Sequence, residues 1–182
     1  MLGVRPQNES SMPCRDATAS DAAALARIGV DAWQAGYRGL MPDDFLSGLS
    51  EERSAARWQR AFAKNPPLVL VVEHGGEVVG ACSYGESRDA DAAPCTGEVM
   101  ALNVHPSAWR RGVGAELLQA VLERLRLLRF TAATLWVLGK NSRARAFYEA
   151  AGFSKEGAER TETDLIGSPL HEVRYRTTLT AV

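Results

Sequence analysis

Apolar residues in the first third of the chain recur at the spacing of amphipathic helices. One predicted helix begins after N-cap candidates in residues 18–21, and its apolar face consists of Leu25, Ile28, Ala32 and Trp33. A second begins at Ser50-Glu51-Glu52, and its apolar face consists of Ala55, Trp58 and Phe62. Pro42 suits the first turn of a short helix between them. With a short strand predicted at residues 13–17, this region is mainly helical.

The middle of the chain changes to the pattern of β-strands. Residues 68–73 and 78–84 are rich in β-branched residues and flank Gly75-Gly76, which predicts a hairpin. Residues 86–94 are polar and alanine-rich without periodicity, and we interpret them as a mobile loop. Residues 98–104 and 132–138 are again strand-like. The helix predicted between them has an apolar stripe of Val113, Leu117, Val121, Leu125 and Leu128.

The order strand, helix, strand in residues 98–138 predicts a right-handed βαβ crossover, in which the two strands are parallel. A short helix over residues 142–151 follows, with Gly152 as its C-cap. Residues 153–157 and 170–179 supply the final strands. We expect functional residues at the strand ends of the βαβ unit.

Composition limits the class of protein. The 182 residues are 46% hydrophobic and 24% charged, which predicts a soluble single domain over residues 12–182 after a disordered leader, residues 1–11. The net charge of -1, from 21 basic and 22 acidic side chains, lacks the basic excess of nucleic-acid-binding proteins. No apolar stretch is long enough to cross a bilayer and no signal-peptide pattern is present. We therefore expect a cytoplasmic protein with neither nucleic acid nor membrane as a partner.

The cysteines and histidines do not form a recognisable metal or disulfide pattern. Cys14, Cys82 and Cys95 are odd in number and widely spaced, which favours buried small hydrophobic residues for most of them over a disulfide framework. The three histidines are equally scattered, without the ligand spacing of a zinc site. We therefore expect no metal cofactor.

The segment VHPSAWRRGVGA, residues 104–115, carries the features of an anion-binding turn. It joins a strand end to a helix through two glycines, Gly112 and Gly114, and two arginines, Arg110 and Arg111. Free N–H groups at a helix start attract anions, and glycine lets the backbone approach them closely. A pyrophosphate would fit such a turn. Alternatively, the glycines form an ordinary tight turn and the arginines are solvated surface charges.

A second segment, NSRARAFYEAAGF at residues 141–153, gives the first one a specific meaning. Together they resemble the GNAT acyltransferase superfamily, whose acetyl-CoA site combines a strand ending in V-x-P, an R-G-x-G-x loop and an N-x-x-A-x-x-F-Y-x-x-x-G-F helix. All three parts occur here in that order, and the close match covers residues 98–157. The resemblance implies an α/β (α+β) fold: a mixed, largely antiparallel sheet of about six to seven strands with a central parallel βαβ unit and flanking helices.

The resemblance also implies how acetyl-CoA is bound. The pyrophosphate is expected on the backbone amides of Arg110, Arg111, Gly112, Val113, Gly114 and Ala115. The pantetheine arm is expected along a strand that splays from its parallel neighbour, with the thioester beside Leu102, Asn103 and Val104. Asn141 matches the residue that hydrogen-bonds the pantetheine, and Arg143 is a further cofactor-binding candidate. Trp109 departs from the family pattern, which often has glutamine or arginine there, and this affects the adenosine end more than the pyrophosphate.

Two residues are candidates for catalysis. Tyr148 matches the residue that protonates the departing thiolate, and a phenol with a pKa near 10 remains a proton donor at neutral pH; its alternative is a packing role beside Phe147. Glu98 occupies the position suspected of removing the amine proton through water, and its alternative is an edge charge in a strand. An amine that attacks a thioester needs positioning, an oxyanion donor and proton transfer, but no enzyme nucleophile.

The acceptor side is expected among the first helices, where aromatic residues and carboxylates alternate. The candidates are Trp33, Tyr37 and Asp43, although the spacing of Trp33 favours a core position. The resulting hypothesis is an N-acetyltransferase that moves acetyl from acetyl-CoA to a primary amine in a ternary complex. The alternatives are a non-catalytic CoA-binding regulatory module and a domain for another phosphorylated ligand. The acceptor stays open, and so does the oligomeric state, although homodimers are frequent among similar proteins.

Overall fold

The computed structural model describes residues 14–163 and 166–180, so the leader predicted at residues 1–11 lies outside the described residues. Seven strands form one sheet in the order β1-β2-β3-β4-β5-β7-β6. They are β1 (Cys14–Asp16), β2 (Val69–His74), β3 (Glu77–Glu86), β4 (Thr96–Val104), β5 (Ala132–Leu138), β6 (Ser154–Glu162) and β7 (Leu170–Thr178). All neighbours are antiparallel except β4 and β5. The mixed sheet and its central parallel pair confirm the predicted fold class.

Five α-helices within the described part of the chain flank the sheet. They are α1 (Ala22–Gly36), α2 (Asp43–Ser47), α3 (Glu51–Lys64), α4 (Val113–Leu127) and α5 (Ser142–Ala150). Local sequence explains their ends: the N–H of Arg53 donates to the Ser50 side chain at the start of α3, and Gly152 has a φ of 87° just beyond α5. Pro42 is the residue before α2 rather than part of its first turn.

The two faces of the sheet have separate cores. On the side we call the α4 face, the stripe of α4 packs from Val113 to Leu125 against alternate residues of the central strands, among them Val99, Leu135, Val137, Val173 and Tyr175. Leu128, predicted as the last residue of the stripe, is instead 50% exposed, because it is the C-cap residue beyond the end of α4. On the opposite side, the α1 face, α1 and α3 cover β2 and β3. A third cluster joins the end of α1 and the helix α2 to Leu138 and Leu170. Side chains alternate along a strand, so residues adjacent to those of the α4 face belong to the α1 face.

The parallel pair is interrupted soon after it begins. Three residue pairs join β4 to β5, from Thr96 and Ala132 to Glu98 and Thr134, and the two strands, which are described over their whole lengths, share no further pairs. The pairing of β3 with β4 shifts at the same level, where Ser83 faces Ala101 and Tyr84 faces Val99. Such a bulge bends a strand away from its neighbour. We call the gap between residues 99–104 of β4 and 135–138 of β5 the wedge.

Three details differ from the sequence predictions. The strand β6 continues to Glu162, beyond the predicted end at residue 157. Cys82 is buried and Cys14 partly buried, but Cys95 is exposed, because it lies in the turn before β4 with a φ of 57°. The loop predicted to be mobile is tied to the sheet: Arg174 forms ion pairs with Asp89 and Asp91.

Membrane-spanning helices and metal-binding clusters are both absent from the described residues. No helix within residues 14–163 and 166–180 combines the length and apolar composition needed to span a bilayer. Over the same ranges, no three histidine, cysteine, aspartate or glutamate side chains are grouped so that they could hold a metal ion.

Candidate functional site

The turn before α4 has the backbone conformation of an anion cradle. Gly112 is the N-cap residue of α4 with a φ of 83°, and Arg110 has a φ of 61°. Left-handed residues next to a helix start direct successive N–H groups to one side of the turn, where they can bind an anion. Apart from Gly112 and its neighbours in the chain, no atom of the described residues lies within 4 Å of the position that a Cβ on Gly112 would take. Arg110 and Arg111 are exposed beside this space.

Gly114 has a different role from Gly112. A Cβ on Gly114 would lie 3.6 Å from the Phe147 ring and 3.7 Å from Val104. The first turn of α4 is therefore in contact with α5 and with the end of β4. This contact fixes the cradle at the mouth of the wedge, since Val104 is the last residue of β4.

Trp109 links the walls of this site. Its indole N–H donates to the carbonyl oxygen of Val104 at 2.6 Å, and the guanidinium of Arg143 lies 4.5 Å from the centre of its ring. Arg143 also approaches the end of α1, because a Cβ on Gly36 would lie 3.3 Å from its Nη2. The residue that departs from the family pattern is thus a bridge between the cradle, α5 and α1. The sequence had identified Trp109 only as a departure.

The wedge presents one edge of β4 without a partner strand. Leu102 and Asn103 lie in this unpaired stretch and are partly buried, and Leu102 packs against the core of the α4 face. Backbone N–H and C=O groups on such an edge can pair with another extended chain. The wedge and the cradle adjoin, so an extended ligand with a terminal pyrophosphate could contact both.

Asn141 is the N-cap of α5. Its side-chain oxygen accepts a hydrogen bond from the N–H of Ala144 at 3.0 Å, and the residue is buried. The cap occupies the oxygen of Asn141, so the amide nitrogen is the group that it can offer to a ligand. Its position at the start of α5 matches the site predicted from the sequence.

Tyr148 is held among aromatic rings on the α4 face. Its ring centre lies 5.1 Å from that of Phe147 and 6.0 Å from that of Phe153, with both pairs edge to face. Among the hydrogen bonds of residues 14–163 and 166–180, none involves its hydroxyl. Burial, with smaller contributions from Cys82 and Tyr37, raises the pKa of Tyr148 above its ordinary value. The phenol therefore stays protonated at neutral pH.

Glu98 is bound by a counter-ion. It is 2% exposed, and its carboxylate accepts hydrogen bonds from Arg88: from the backbone N–H at 3.0 Å, Nε at 3.1 Å and Nη2 at 2.6 Å. Glu98 belongs to the last residue pair before the wedge and lies on the α1 face. Both carboxylate oxygens are therefore occupied by the loop that precedes β4.

The predicted acceptor residues lie at the ends of α1 and α2. Trp33 packs against Tyr37 and Phe45, with ring centres 5.0 and 6.3 Å apart, within the third hydrophobic cluster. Burial, assisted by the charge of Glu172 and opposed by that of Arg143, raises the pKa of Tyr37. Asp43 is exposed in the first turn of α2. Trp33 and Tyr37 both pack against the third cluster, and the influence of Glu172 and Arg143 on the pKa of Tyr37 indicates that it lies near both residues.

The sequence reasoning missed a polar group on the α1 face of β5, β7 and β6. Trp136 donates to Asp89 at 3.0 Å and lies beneath the guanidinium of Arg160, and Arg160 is paired with Glu172 at 2.7 Å. The signal was the nearly continuous apolar run of β5, which is typical of a strand covered on both faces and in which Trp136 stands between the core residues Leu135 and Val137. Residues 132–138 were predicted to form a strand, but the sequence analysis assigned no role to the side chains on its α1 face.

Comparison with known proteins agrees with this geometry. The Bacillus subtilis N-acetyltransferase YuaI is 27% identical over 159 residues, which cover 87% of this chain and 88% of the relative. The PaiA N-acetyltransferase of Thermoplasma acidophilum, solved with coenzyme A, superposes with a TM-score of 0.72 at 18% identity and covers 92% of this chain and 99% of that one. The acetyltransferase YncA of Salmonella typhimurium, solved with acetyl-CoA, gives a TM-score of 0.68 at 22% identity, with 94% and 95% covered.

Comparison of the sequence with models of protein families assigns the family of this chain. The model of the acetyltransferase (GNAT) family matches residues 33–153, a range that includes the wedge, the cradle and α5. The protein described here therefore belongs to the GNAT acetyltransferase family.

Proposed function

We propose that this protein transfers an acetyl group from acetyl-CoA to a primary amine by direct attack in a ternary complex. The observation that carries the proposal is the junction of three features: the unpaired edge of β4, the left-handed cradle before α4 and the partly buried phenol of Tyr148. Each feature serves one part of acetyl-CoA, namely the pantetheine, the pyrophosphate and the sulfur. Family membership and the complexes of PaiA with coenzyme A and of YncA with acetyl-CoA support the same co-substrate.

Cofactor binding follows from the geometry of the walls. The N–H groups of residues 110–115 would hold the pyrophosphate, with the dipole of α4 adding to their attraction. The pantetheine would pair with β4 along Leu102, Asn103 and Val104, and the amide nitrogen of Asn141 would donate to it from α5. Trp109 occupies the Val104 carbonyl, so strand pairing would end at that residue and the pyrophosphate turn would begin there. Arg143 is the cation nearest this turn on α5.

In the reaction, the neutral amine adds to the thioester carbonyl, and the tetrahedral intermediate collapses by breaking the C–S bond. The sulfur leaves as a thiolate and takes a proton, while the nitrogen of the new amide loses one. Tyr148 would supply the proton to sulfur, because its raised pKa keeps it protonated and its hydroxyl is not bonded within the described protein. The three hydrogen bonds from Arg88 favour a structural role for Glu98, which leaves the amine proton to solvent.

The test is CoA release from acetyl-CoA with a panel of amines, measured for the wild type and for Tyr148→Phe. We expect Tyr148→Phe to lower kcat by about 10²- to 10⁴-fold, the usual contribution of a positioned acid, with the KM for acetyl-CoA little changed. Tyr84→Phe is the matched control, since Tyr84 is a buried tyrosine of the same core that lies outside the wedge.

Two outcomes would contradict the proposal. Full activity of Tyr148→Phe would remove Tyr148 as the acid. If acetyl-CoA binds but no amine releases CoA, the chain is a non-catalytic CoA-binding module instead.

A further inference from the structure

The wedge has a second side that the cofactor would not cover. Trp136 lies two residues beyond Thr134, the last residue of β5 that pairs with β4, and it points to the α1 face. Cofactor-binding groups such as the cradle and Tyr148 lie on the α4 face or at the strand end. An acceptor must therefore approach the thioester from the α1 face, past Trp136.

Arg160 is fixed on this approach by two contacts. Its guanidinium lies 4.3 Å from the centre of the Trp136 ring, and its Nε donates to Glu172 at 2.7 Å. Arg160 and Glu172 are also direct neighbours across β6 and β7. A guanidinium that is stacked and paired through Nε keeps its two terminal nitrogens as a preorganised fork.

Two other arginines of the same face are engaged by carboxylates. Arg174 is 8% exposed at its side chain and pairs with Asp89, Asp91 and Glu156, and Arg88 is paired with Glu98. Arg160, by contrast, is 40% exposed, and within residues 14–163 and 166–180 its ion pairing is with Glu172. Arg176 is also on this face, 35% exposed, and pairs with Glu156 at a longer 3.7 Å, but Arg160 is the exposed guanidinium that stacks on Trp136 beside the wedge, where it can bind an additional anion.

The position of Arg160 limits the size of such a ligand. Neighbouring strands are about 4.8 Å apart, so a guanidinium stacked on a residue of β5 lies roughly 10 Å or less from the middle of the wedge. A carboxylate on Arg160 would accept two hydrogen bonds at about 2.8 Å. The amine of the same small molecule would then reach the thioester if only a few bonds separate the two groups. Glu172 and Tyr37 border the same approach.

We propose that the acceptor is a small amine that carries a carboxylate, such as a free amino acid, and that Arg160 binds this carboxylate in a bidentate manner while Trp136 and Glu172 hold the guanidinium. This inference rests on the proposed acetyl transfer and adds the substrate class to it. It makes Arg160 a specificity-determining residue that acts on the acceptor and not on acetyl-CoA.

The experiment compares amino acids with the corresponding amino-acid amides as acceptors in the CoA-release assay. We expect the wild type to favour the acids over the amides by about 10- to 100-fold in kcat/KM, the range for a charge-assisted bidentate contact. Arg160→Gln should remove this preference by raising the KM for the acids, with the KM for acetyl-CoA unchanged. Arg57→Gln, an exposed arginine on α3, is the matched control, and Arg160→Lys should retain part of the preference because it keeps the charge without the fork.

The outcomes separate this inference from the proposed function. Equal rates for acids and amides in the wild type, or an unchanged preference in a folded Arg160→Gln variant, would overturn the assignment of Arg160 while leaving acetyl transfer intact. Absence of CoA release from both series while other amines of the panel release CoA would overturn the acceptor class alone. Absence of release with every amine, with acetyl-CoA bound, would overturn the proposed function and the acceptor class with it.

Discussion

Replacement of Glu98 by glutamine separates its two roles, because the structural role and the role as general base predict opposite results. Glu98→Gln keeps the shape of the side chain and one oxygen acceptor for Arg88, but it removes the ion pair and places an NH₂ group opposite the guanidinium. As a base, Glu98 would be needed for turnover. As the anchor of the loop before β4, it would be needed mainly for stability.

The magnitude follows from burial and hydrogen bonding. Hydrogen bonds to a charged group contribute about 1.5–3 kcal/mol each when protected from water. The Glu98 side chain is 3% exposed but that of Arg88 is 63% exposed, so solvent weakens the pair. We therefore expect Glu98→Gln to lower the free energy of unfolding by about 1–2 kcal/mol. Arg88→Ala should cost more, about 2–3 kcal/mol, because it leaves a buried carboxylate without a counter-ion.

The assay is urea denaturation at neutral pH together with steady-state kinetics. We expect Glu98→Gln to retain kcat within about threefold, because its effect is on the loop and not on the reacting atoms. The double variant Arg88→Ala/Glu98→Gln should be more stable than Arg88→Ala alone, since it removes the stranded charge. A loss of 100-fold or more in kcat in Glu98→Gln, with an unchanged free energy of unfolding, would refute this reasoning and assign the base to Glu98.

Two further predictions concern the cradle and the N-terminal ion pair. Gly112→Ala should weaken acetyl-CoA binding, measured by calorimetry, and lower the free energy of unfolding by about 1–2 kcal/mol, because alanine is strained at a φ of 83°. The control Gly29→Ala, inside α1, should instead stabilise the protein slightly. Equal affinity of the two variants for acetyl-CoA would contradict the cradle. The hydrogen bonds from Arg15 lower the pKa of Asp21 from 3.8 to about 2. The ionised Asp21 therefore contributes about 2 kcal/mol to the free energy of unfolding above pH 4, and this contribution is lost as the pH falls towards 2. Asp21→Asn should flatten this part of the acid-unfolding profile, and an unchanged profile would exclude the pair as its cause.

Local patterns were sufficient for most of the secondary structure. The bounds of β5 were predicted without error, and α4 begins at Val113 as its stripe indicated. Amphipathic periods, proline and glycine act within a few residues, so they are readable from the chain alone. The prediction was wrong for the length of β6, whose nine residues contain no buried position and therefore no apolar alternation. That strand forms because β7 pairs with it, which is a tertiary cause.

The loop of residues 86–94 is a second feature that local sequence patterns could not predict correctly. Asp89 and Asp91 looked like residues of a mobile segment because their partner, Arg174, is 85 and 83 residues away in sequence. No local rule connects these positions. The fold joins them by placing β7 beside β5 and the loop over the same face.

The sequence by itself determined the local structures proposed to hold the cofactor. The cradle and the N-cap of α5 are local backbone structures, and a few adjacent residues specify each of them. Only the tertiary structure brings together the proposed acceptor side, where Trp136, Arg160 and Glu172 come from separate strands and Tyr37 alone was a candidate from the sequence. Their contacts depend on strand order and register, which bring distant residues onto one face of the sheet.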